Sequence, residues 1–332
     1  MARKWLLRVL TLLFCLALAA GGVGVWWVGQ VVDLPYGGIE LEVEPGMGAR
    51  QVAVLVQQSG MPLDADALYA WFRVSGRSRR ILAGSYGFEN TITPWQLLGK
   101  LTGSDVSVGA VTLVEGWNFR QMRQVLASSE GLKPTTKSLS DAELMTLLGR
   151  PGLPPEGRFF PDTYSYPRGT SDVKVLQRAL RAMDKRLEAA WAARNRGIPL
   201  TSPDEALILA SIIEKETGRV ADQGQISAVF HNRLVLGMRL QTDPTVIYGM
   251  GPQFSGNLRK SDLQDDTPFN TYTRAGLPPT PIAMPGRTAL LAAVQPAQSK
   301  ALYFVARGDG SSQFSATLEE HNRAVDAYQR KK

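Results

Sequence analysis

Residues 202–218 read SPDEALILASIIEKETG, a pattern that predicts a helix with well-defined ends. Ser202 suits the N-cap because its hydroxyl can accept a hydrogen bond from a free backbone N–H. Pro203 is favoured at the first helical position, and the two acidic residues after it suit the positive end of the helix dipole. Gly218 is typical of the position just past a helix end. We therefore expect a helix from Pro203 to about Thr217.

Two carboxylates lie near the end of this helix, Glu214 and Glu216. Two positions along an α-helix are separated by ~200°, so these side chains cannot share one face. Glu216 lies on the apolar stripe formed by Leu209, Ile212 and Ile213. Glu214 lies beside a smaller and more mixed surface formed by Leu207, Ala210 and Ser211. Because burial raises the pKa of a carboxyl group, Glu216 is the better candidate for a general acid.

A purely structural role for Glu216 stays open on spacing alone. Charged side chains usually reach water, and Arg219 lies three residues further on, where it could form an ion pair with Glu216. The two hypotheses differ in whether the carboxyl group is buried.

Three polar segments follow in the second half of the chain. Residues 239–249 read RLQTDPTVIYG, residues 270–272 read NTY, and residues 276–279 read GLPP. Loops with amides, hydroxyls and aromatic rings suit carbohydrate, whose hydroxyls need hydrogen bonds and whose faces need ring stacking. Ordinary surface loops are the alternative interpretation.

The supply of cysteine and histidine excludes several classes of site. Cys15 is the one cysteine, so the chain can form no internal disulfide. His231 and His321 are the two histidines, too few for a Cys/His zinc site. Neither a nucleophile elbow of the G-x-S-x-G type nor a nucleotide-binding motif occurs. We therefore expect no metal and no cofactor.

The N-terminal segment has the length and composition of a membrane span. Val9 to Val28 contains no charged residue, and twenty helical residues rise ~30 Å, the thickness of the bilayer core. Trp5 and the pair Trp26-Trp27 flank it, where amphipathic rings favour the interface. The basic residues precede the span, which places the N-terminus in the cytoplasm and the rest outside it. A cleaved signal peptide, with Ala17-Leu18-Ala19 as the cleavage site, is the alternative.

The net charge of +7 is concentrated at the two ends of the chain. Arg3, Lys4 and Arg8 contribute three positive charges, and residues 330–332 contribute another three. Residues 9–329 therefore carry a net +1, which does not support a basic face for nucleic acid.

The rest of the chain divides into a tether at 29–37, a β-α-α-β region at 38–130 and a larger domain at 131–332. A weak repeat relates residues 41–51 to residues 112–121, since each pairs a strand-like run and a turn glycine with a later Arg-Gln; chance similarity is the alternative. Periodicity also predicts helices over 64–72, 173–194, 224–236, 290–294 and 318–329, and a strand over 302–306.

Several of these motifs together resemble the endolytic murein transglycosylase, or YceG-like, family. The matching segments are SIIEKET at 211–217, VFHNRL at 229–234, GMRLQTDPTVIYG at 237–249, NTY at 270–272, GLPP at 276–279 and PDT at 161–163. The resemblance covers nearly the whole chain.

The resemblance implies an α+β protein with a single transmembrane helix, a LysM-like β-α-α-β subdomain and a mixed α/β catalytic domain. It implies a cofactor-free lyase of the inner membrane that cleaves peptidoglycan strands internally with its catalytic domain in the periplasm, close to peptidoglycan synthases. It implies Glu216 as the catalytic acid. The expected substrate-binding residues are Thr217, Gln241, Thr242, Asp243, Tyr248, Asn270 and Tyr272. A muramidase-type hydrolase and a non-catalytic wall-binding protein remain the alternatives.

Overall fold

The computed structural model describes residues 2–35, 38–44, 46–88, 91–103 and 108–330. The helices are α1 Ala2–Val28, α2 Ala49–Gln58, α3 Ala65–Val74, α4 Pro94–Leu101, α5 Phe119–Ser128, α6 Asp141–Leu147, α7 Asp172–Ala192, α8 Pro203–Glu216, α9 Val220–Val235, α10 Asp243–Met250, α11 Arg287–Val294 and α12 Leu318–Val325. The strands are β1 Val32–Asp33, β2 Ile39–Val43, β3 Gly84–Phe88, β4 Thr91–Ile92, β5 Val108–Thr112, β6 Leu132–Lys133, β7 Thr163–Pro167, β8 Thr170–Ser171, β9 Tyr303–Ala306 and β10 Ser312–Ser315.

Helix α1 contains an apolar stretch, Arg8–Val28, that is long and apolar enough to cross a membrane. The most apolar part of that stretch is not buried against the rest of the described chain, although Trp27 near its end packs against apolar core residues. A signal sequence can have the same length and composition. The helix is therefore a candidate for either a membrane anchor or a signal sequence.

The chain forms two compact units. The first comprises Met1–Val111, Glu130–Leu132 and Thr163–Thr170; the second comprises Thr112–Ser129, Lys133–Asp162 and Ser171–Lys332. This division differs from the predicted boundary after residue 130. Strand β7 joins the first unit because it lies between β3 and β5 in the four-stranded sheet, whose order is β2-β3-β7-β5. A single cut in the sequence cannot represent a sheet that takes strands from both sides of it.

The first unit contains the predicted β-α-α-β order, made by β2, α2, α3 and β3. Strands β2 and β3 pair antiparallel with Leu41 opposite Tyr86, and β3 pairs in parallel with β7. Both helices turn apolar faces inward, and Val52 and Phe72 are fully buried. Whether this region is LysM-like remains a prediction.

Part of the predicted tether is a strand. Val32 pairs with Ile92 and Asp33 with Thr91, so β1 and β4 form a short antiparallel ladder. Val32 and Leu34 also pack against the core of the first unit. These contacts explain why residues 32–33 are not a free linker; residues 36 and 37 lie outside the described part of the chain.

The predicted repeat reflects two helices that begin in the same way. Gln51 is the third residue of α2, and its side-chain oxygen accepts the Gly48 N–H at 2.7 Å. Gln121 is the third residue of α5 and accepts the Asn118 N–H at 2.9 Å. The strand before the second helix ends at Thr112, earlier than predicted. The shared Arg-Gln thus has a local structural cause, N-terminal capping.

The second unit is built around α8. Every residue from Ala206 to Ile213 is buried, and α8 packs against α7, α9 and α11. The predicted cap is present, since Ser202 accepts the Glu205 N–H at 3.2 Å. Helix α8 ends at Glu216, which places that side chain where the core meets the surface.

Two predicted elements have different bounds in the structure. Helix α9 begins at Val220, so Gly224 lies inside it and does not start it. The Gly224 carbonyl accepts the Ala297 N–H at 3.0 Å, so the helix and the segment around Ala297 approach closely there. The final helix is α-helical over Leu318–Val325 and continues as a π-helical turn over Asp326–Arg330. Strand β9 lies where predicted and pairs with β10. A mixed α/β architecture is therefore confirmed.

Candidate active site

Glu216 combines a half-buried side chain with a hydroxyl donor. The apolar residues predicted to flank it, Leu209, Ile212 and Ile213, are fully buried. Its Oε1 accepts a hydrogen bond from the Thr242 hydroxyl. Burial raises the pKa of Glu216 to about 7, the Thr242 bond opposes this rise, and the nearby Asp243 adds to it. A carboxyl group with a pKa near 7 can hold a proton and release it at neutral pH.

Arg219 does not pair with Glu216, and both Arg219 and Thr217 make contacts with other groups. The Arg219 guanidinium lies 4.0 Å from the Asp222 carboxylate. The Thr217 hydroxyl accepts the Arg219 backbone N–H at 3.0 Å and so caps the turn between α8 and α9. The structure thus gives Thr217 a structural contact and disfavours the Glu216–Arg219 pair.

The turn before α10 delivers Thr242 to Glu216. Gln241 adopts φ +50, a left-handed conformation that no other described non-glycine residue has. Its N–H donates to the Thr271 carbonyl at 3.1 Å, and the Thr242 N–H donates to the Thr271 hydroxyl at 3.0 Å. Thr271 therefore fixes this turn, a role that sequence reasoning missed although Thr271 lies within the NTY segment.

Asp243 and Tyr272 form the second polar pair of the site. The Tyr272 hydroxyl donates to the Asp243 carboxylate at 2.5 Å, and burial raises the pKa of Tyr272. Both residues line, with Glu216 and Gln241, a cavity of about 620 Å³. The other lining residues are Arg233, Tyr303, Phe304, Val305, Ala306, Leu318, His321, Val325 and Gln329.

Comparison of the sequence with models of protein families identifies the family to which these motifs belong. The model of the YceG-like family matches residues 41–327. The chain belongs to the YceG-like family.

Named relatives and a solved structure are also similar to this YceG-like protein. It is 29% identical over 308 residues to an endolytic murein transglycosylase of Bacillus subtilis, covering 87% of this chain and 84% of the relative. It is 25% identical over 324 residues to one from Streptococcus pneumoniae, and there it spans 58% of the relative's length. A crystal structure of a YceG-like protein from Listeria monocytogenes matches with a TM-score of 0.57 and 28% identity, over 86% of this chain and 98% of that one.

Arg233 is a cavity residue that the sequence prediction did not include. Its Nε donates to the Leu302 carbonyl and its Nη1 to the Leu240 carbonyl, both at 2.7 Å. Its guanidinium lies 5.3 Å from the Tyr303 ring, on which His321 stacks at 5.2 Å. The Arg233 side chain therefore ties α9 to the segments before β9 and before α10. Its place in the HNR motif was the available signal.

Two predicted binding residues lie away from this cavity wall. Asn270 is fully buried, and its amide donates to the carbonyls of Asp262, Leu263 and Asp265 at 2.7–3.3 Å. Its oxygen accepts the Tyr272 N–H at 2.8 Å, so Asn270 holds the loop that presents Tyr272. Tyr248 lines a different cavity. The structure therefore does not bring Asn270 and Tyr248 into the Glu216 cavity, and their assignment as substrate-binding residues stays a prediction.

That second cavity, of about 490 Å³, contains Glu156 and Tyr248. The Glu156 oxygens accept the Phe119 N–H at 3.0 and 3.2 Å, and the Tyr248 hydroxyl donates to Glu156 at 3.0 Å. Burial raises the pKa of Glu156 to about 7, against those hydrogen bonds. Sequence reasoning missed Glu156, because its partner Tyr248 is 92 positions away.

Glu214 has a structural environment. Its carboxylate accepts the Gly286 N–H at 3.0 Å, at the start of α11. Burial raises its pKa, and the neighbouring Glu115 raises it further. A Cβ at position 286 would overlap the Glu115 carboxylate, so a larger residue there would displace that side chain. Among the described residues, no group of three or more His, Cys, Asp or Glu side chains could hold a metal ion.

Proposed function

We propose that this protein is a membrane-anchored peptidoglycan lytic transglycosylase that cleaves the MurNAc-β-1,4-GlcNAc bond within glycan strands. The observation that carries the proposal is Glu216, a half-buried carboxyl group facing a polar cavity, with a pKa raised by burial to about 7 and a hydroxyl donor. The names of the bacterial relatives supply the substrate class.

The reaction follows from one carboxyl group acting twice. Protonated Glu216 donates its proton to the glycosidic oxygen, which leaves as the 4-hydroxyl of GlcNAc. The resulting carboxylate removes the proton of the MurNAc 6-hydroxyl, whose oxygen attacks the anomeric carbon and closes a 1,6-anhydro ring. Glu216 ends protonated and no water is consumed, so the step needs no second carboxylate to activate water.

Other residues that line the cavity would bind the glycan and stabilise charge in the transition state. The negative carboxylate of Asp243 would stabilise the positive charge of an oxocarbenium-like transition state. Tyr272 holds that carboxylate at 2.5 Å, and Gln241 lines the cavity with its amide. Thr242 sets the orientation of the acid. Arg233 and the Tyr303–His321 pair form the wall along which a sugar ring would lie.

We also propose that α1 anchors the protein in the cytoplasmic membrane, with the N-terminus inside and residues after Val28 in the periplasm. The positive residues before the span support this orientation. In this arrangement the 38–130 region is LysM-like and binds glycan, and the 131–332 region cuts nascent strands as synthases extend them. Cleavage would then end strand elongation.

Asp243 favours one second candidate, a muramidase-type hydrolase on the same bond. It lies in the same cavity as Glu216, and a second carboxylate in that position can activate water. The two reactions differ in their product, since the anhydro end is lighter by one water and has no reducing end.

Mass analysis of muropeptides released from sacculi by the full chain tests the proposal. We expect anhydro ends from the wild type, no products from Glu216→Gln, and retained cleavage in Glu214→Gln, whose carboxyl group bonds a backbone N–H instead. Reducing ends would replace the transglycosylase by the hydrolase. Full activity of Glu216→Gln would reject the acid assignment, and binding without cleavage by the wild type would indicate a wall-binding protein.

A further inference from the structure

The first unit carries a concentration of arginine that the net charge of the chain conceals. Residues 73–80 read RVSGRSRR, at the end of α3 and in the loop after it. No acidic residue occurs from 67 to 88. The near-neutral balance of the protein body is thus an average over a locally basic segment.

Three of these arginines have unengaged guanidinium groups. Arg73, Arg79 and Arg80 are exposed, and within the described residues their side chains make no hydrogen bond or ion pair. Arg73 and Arg79 line, with Arg50 and Tyr69, a cleft of about 470 Å³. Three unpaired forks on one short segment are suited to anionic groups with several oxygens, such as phosphates.

Exposed apolar side chains accompany the arginines. Trp95 is 54% exposed, and the Arg77 guanidinium lies 5.6 Å from its ring. Leu82 is also 54% exposed and is tied by its N–H to the end of α4, at the Leu101 carbonyl. We name this set the arginine–tryptophan surface: Arg73, Arg77, Arg79, Arg80, Leu82 and Trp95. Its combination of Arg, Trp and aliphatic groups is typical of proteins at a membrane–water interface.

The surface lies on the same unit as the end of the apolar helix, and close to it in the fold. Helix α1 ends at Val28, and Val32 pairs with Ile92, three residues before Trp95. Helix α1 also contacts α4, the helix that carries Trp95, and Trp27 packs against the core of this unit. A membrane crossed by α1 would therefore lie within reach of the arginine–tryptophan surface.

We propose that the arginine–tryptophan surface binds the phosphates of anionic phospholipid headgroups in the membrane that α1 crosses. The proposal rests on the membrane placement in the proposed function and is independent of the chemistry at Glu216. The arginines would pair with headgroup phosphates while Trp95 and Leu82 enter the interface. Binding would hold the β-α-α-β region against the bilayer.

The test uses the full chain in vesicles of phosphatidylcholine, with and without phosphatidylglycerol. Amide hydrogen exchange is measured over residues 73–82 and 94–97. We expect exchange there to slow several-fold when phosphatidylglycerol is present, with no change over 318–325. The combined variant Arg73→Gln, Arg79→Gln and Arg80→Gln should lose this difference. Its control is Arg196→Gln, Lys260→Gln and Lys300→Gln, which removes the same charge from exposed positions of the second unit.

Each contrary outcome has its own meaning. Equal exchange in both vesicles while the chain stays vesicle-bound would overturn the headgroup proposal and leave the anchor intact. Release of the chain from the vesicles would reject the anchor itself. The same protection from inorganic phosphate on the detergent-solubilised chain, or from glycan strands in phosphatidylcholine vesicles, would assign the surface to another anion and overturn the proposal.

Discussion

The two regions around Glu216 and Glu156 contain the same chemical groups but differ in how many protein donors occupy the carboxyl oxygens. Each contains a carboxyl group whose pKa is raised by burial to about 7 and one hydroxyl donor, and the donors lie at opposite ends of α10. Thr242, just before α10, serves Glu216, and Tyr248, near its end, serves Glu156. Glu156 also receives the Phe119 N–H on both oxygens.

The difference shows that a raised pKa alone does not identify a catalytic acid. The oxygens of Glu156 are occupied by a helix N-terminus and a tyrosine, so its carboxyl group joins α5 to α10. Glu216 has one protein donor and faces a cavity with Asp243 and Tyr272. Spare hydrogen-bonding capacity toward a cavity therefore distinguishes the Glu216 carboxyl group from that of Glu156.

The largest expected effect is on cleavage. Glu216→Gln should lower the rate of strand cleavage by ~10²–10⁴-fold because it removes the proton that is transferred. Glu156→Gln keeps the shape and the acceptor for Phe119, so its loss should stay below ~10-fold. Initial rates on isolated glycan strands measure both. Equal losses in the two variants would erase the distinction between acid and structural link.

The second effect is on stability. The folded-state pKa of Glu156 is about 7 against an ordinary 4.5, so the folded chain retains a proton that the unfolded chain releases. Stability therefore falls as pH rises from 4.5 to 7, by up to about 3 kcal/mol for this group. Glu156→Gln should remove that part of the slope.

Urea unfolding of the full chain in micelles at about pH 5 and about pH 8 measures this slope. Tyr248→Phe is the matched variant, since it removes a bond that lowers the pKa of Glu156 and should steepen the slope. A slope unaffected by either change would show that Glu156 ionises normally in the folded protein.

The third effect is on the pH profile of kcat/KM. Since the acid must be protonated, the rate should fall tenfold per pH unit above about 7. Thr242→Val removes the bond that lowers the pKa of Glu216, so the fall should begin at higher pH. The control variant Thr217→Val should leave the pH at which the rate begins to fall unchanged, because the Thr217 hydroxyl accepts the Arg219 N–H. A shift in this control and none in Thr242→Val would show that Thr217, and not Thr242, acts on the acid.

The smallest effect concerns the turn before α10. Gln241 holds a left-handed backbone that disfavours side chains, whereas Tyr248 lies within regular helix. Gln241→Gly should therefore be more stable than Gln241→Ala by about 1 kcal/mol. Urea midpoints of the two variants give the difference. A more stable alanine variant would show that the turn carries no strain.

Local rules predicted much of this fold. The caps and apolar centre of α8 were readable from residues 202–218, and the stripe beside Glu216 followed from helical geometry. Sequence distance misled where side-chain direction mattered. Thr242 and Tyr248 are six residues apart but donate to carboxyl groups in different cavities, Glu216 and Glu156, because their side chains leave α10 in different directions.

Long-range pairings were out of reach. Glu156 acquires its role from a backbone group and a tyrosine far along the chain, and no local pattern indicates either. Asn270 is a short polar residue in a loop, which fits sugar binding and loop folding equally until its three carbonyl partners are known. Strand β1 has two residues and exists through a partner sixty positions later.

Strand β1 limits the distance between the end of α1 and the rest of the first unit. A free tether over 29–37 would let the first unit stand roughly 30 Å from the end of the apolar helix, at ~3.4 Å per extended residue. Because Val32 is already paired, only residues 29–31 are left to span the gap, roughly 10 Å. With α1 in a bilayer, this link would hold the first unit within roughly 10 Å of the lipid surface. The two ladder pairs of β1 and β4 thus limit how far the first unit can lie from the end of the apolar helix.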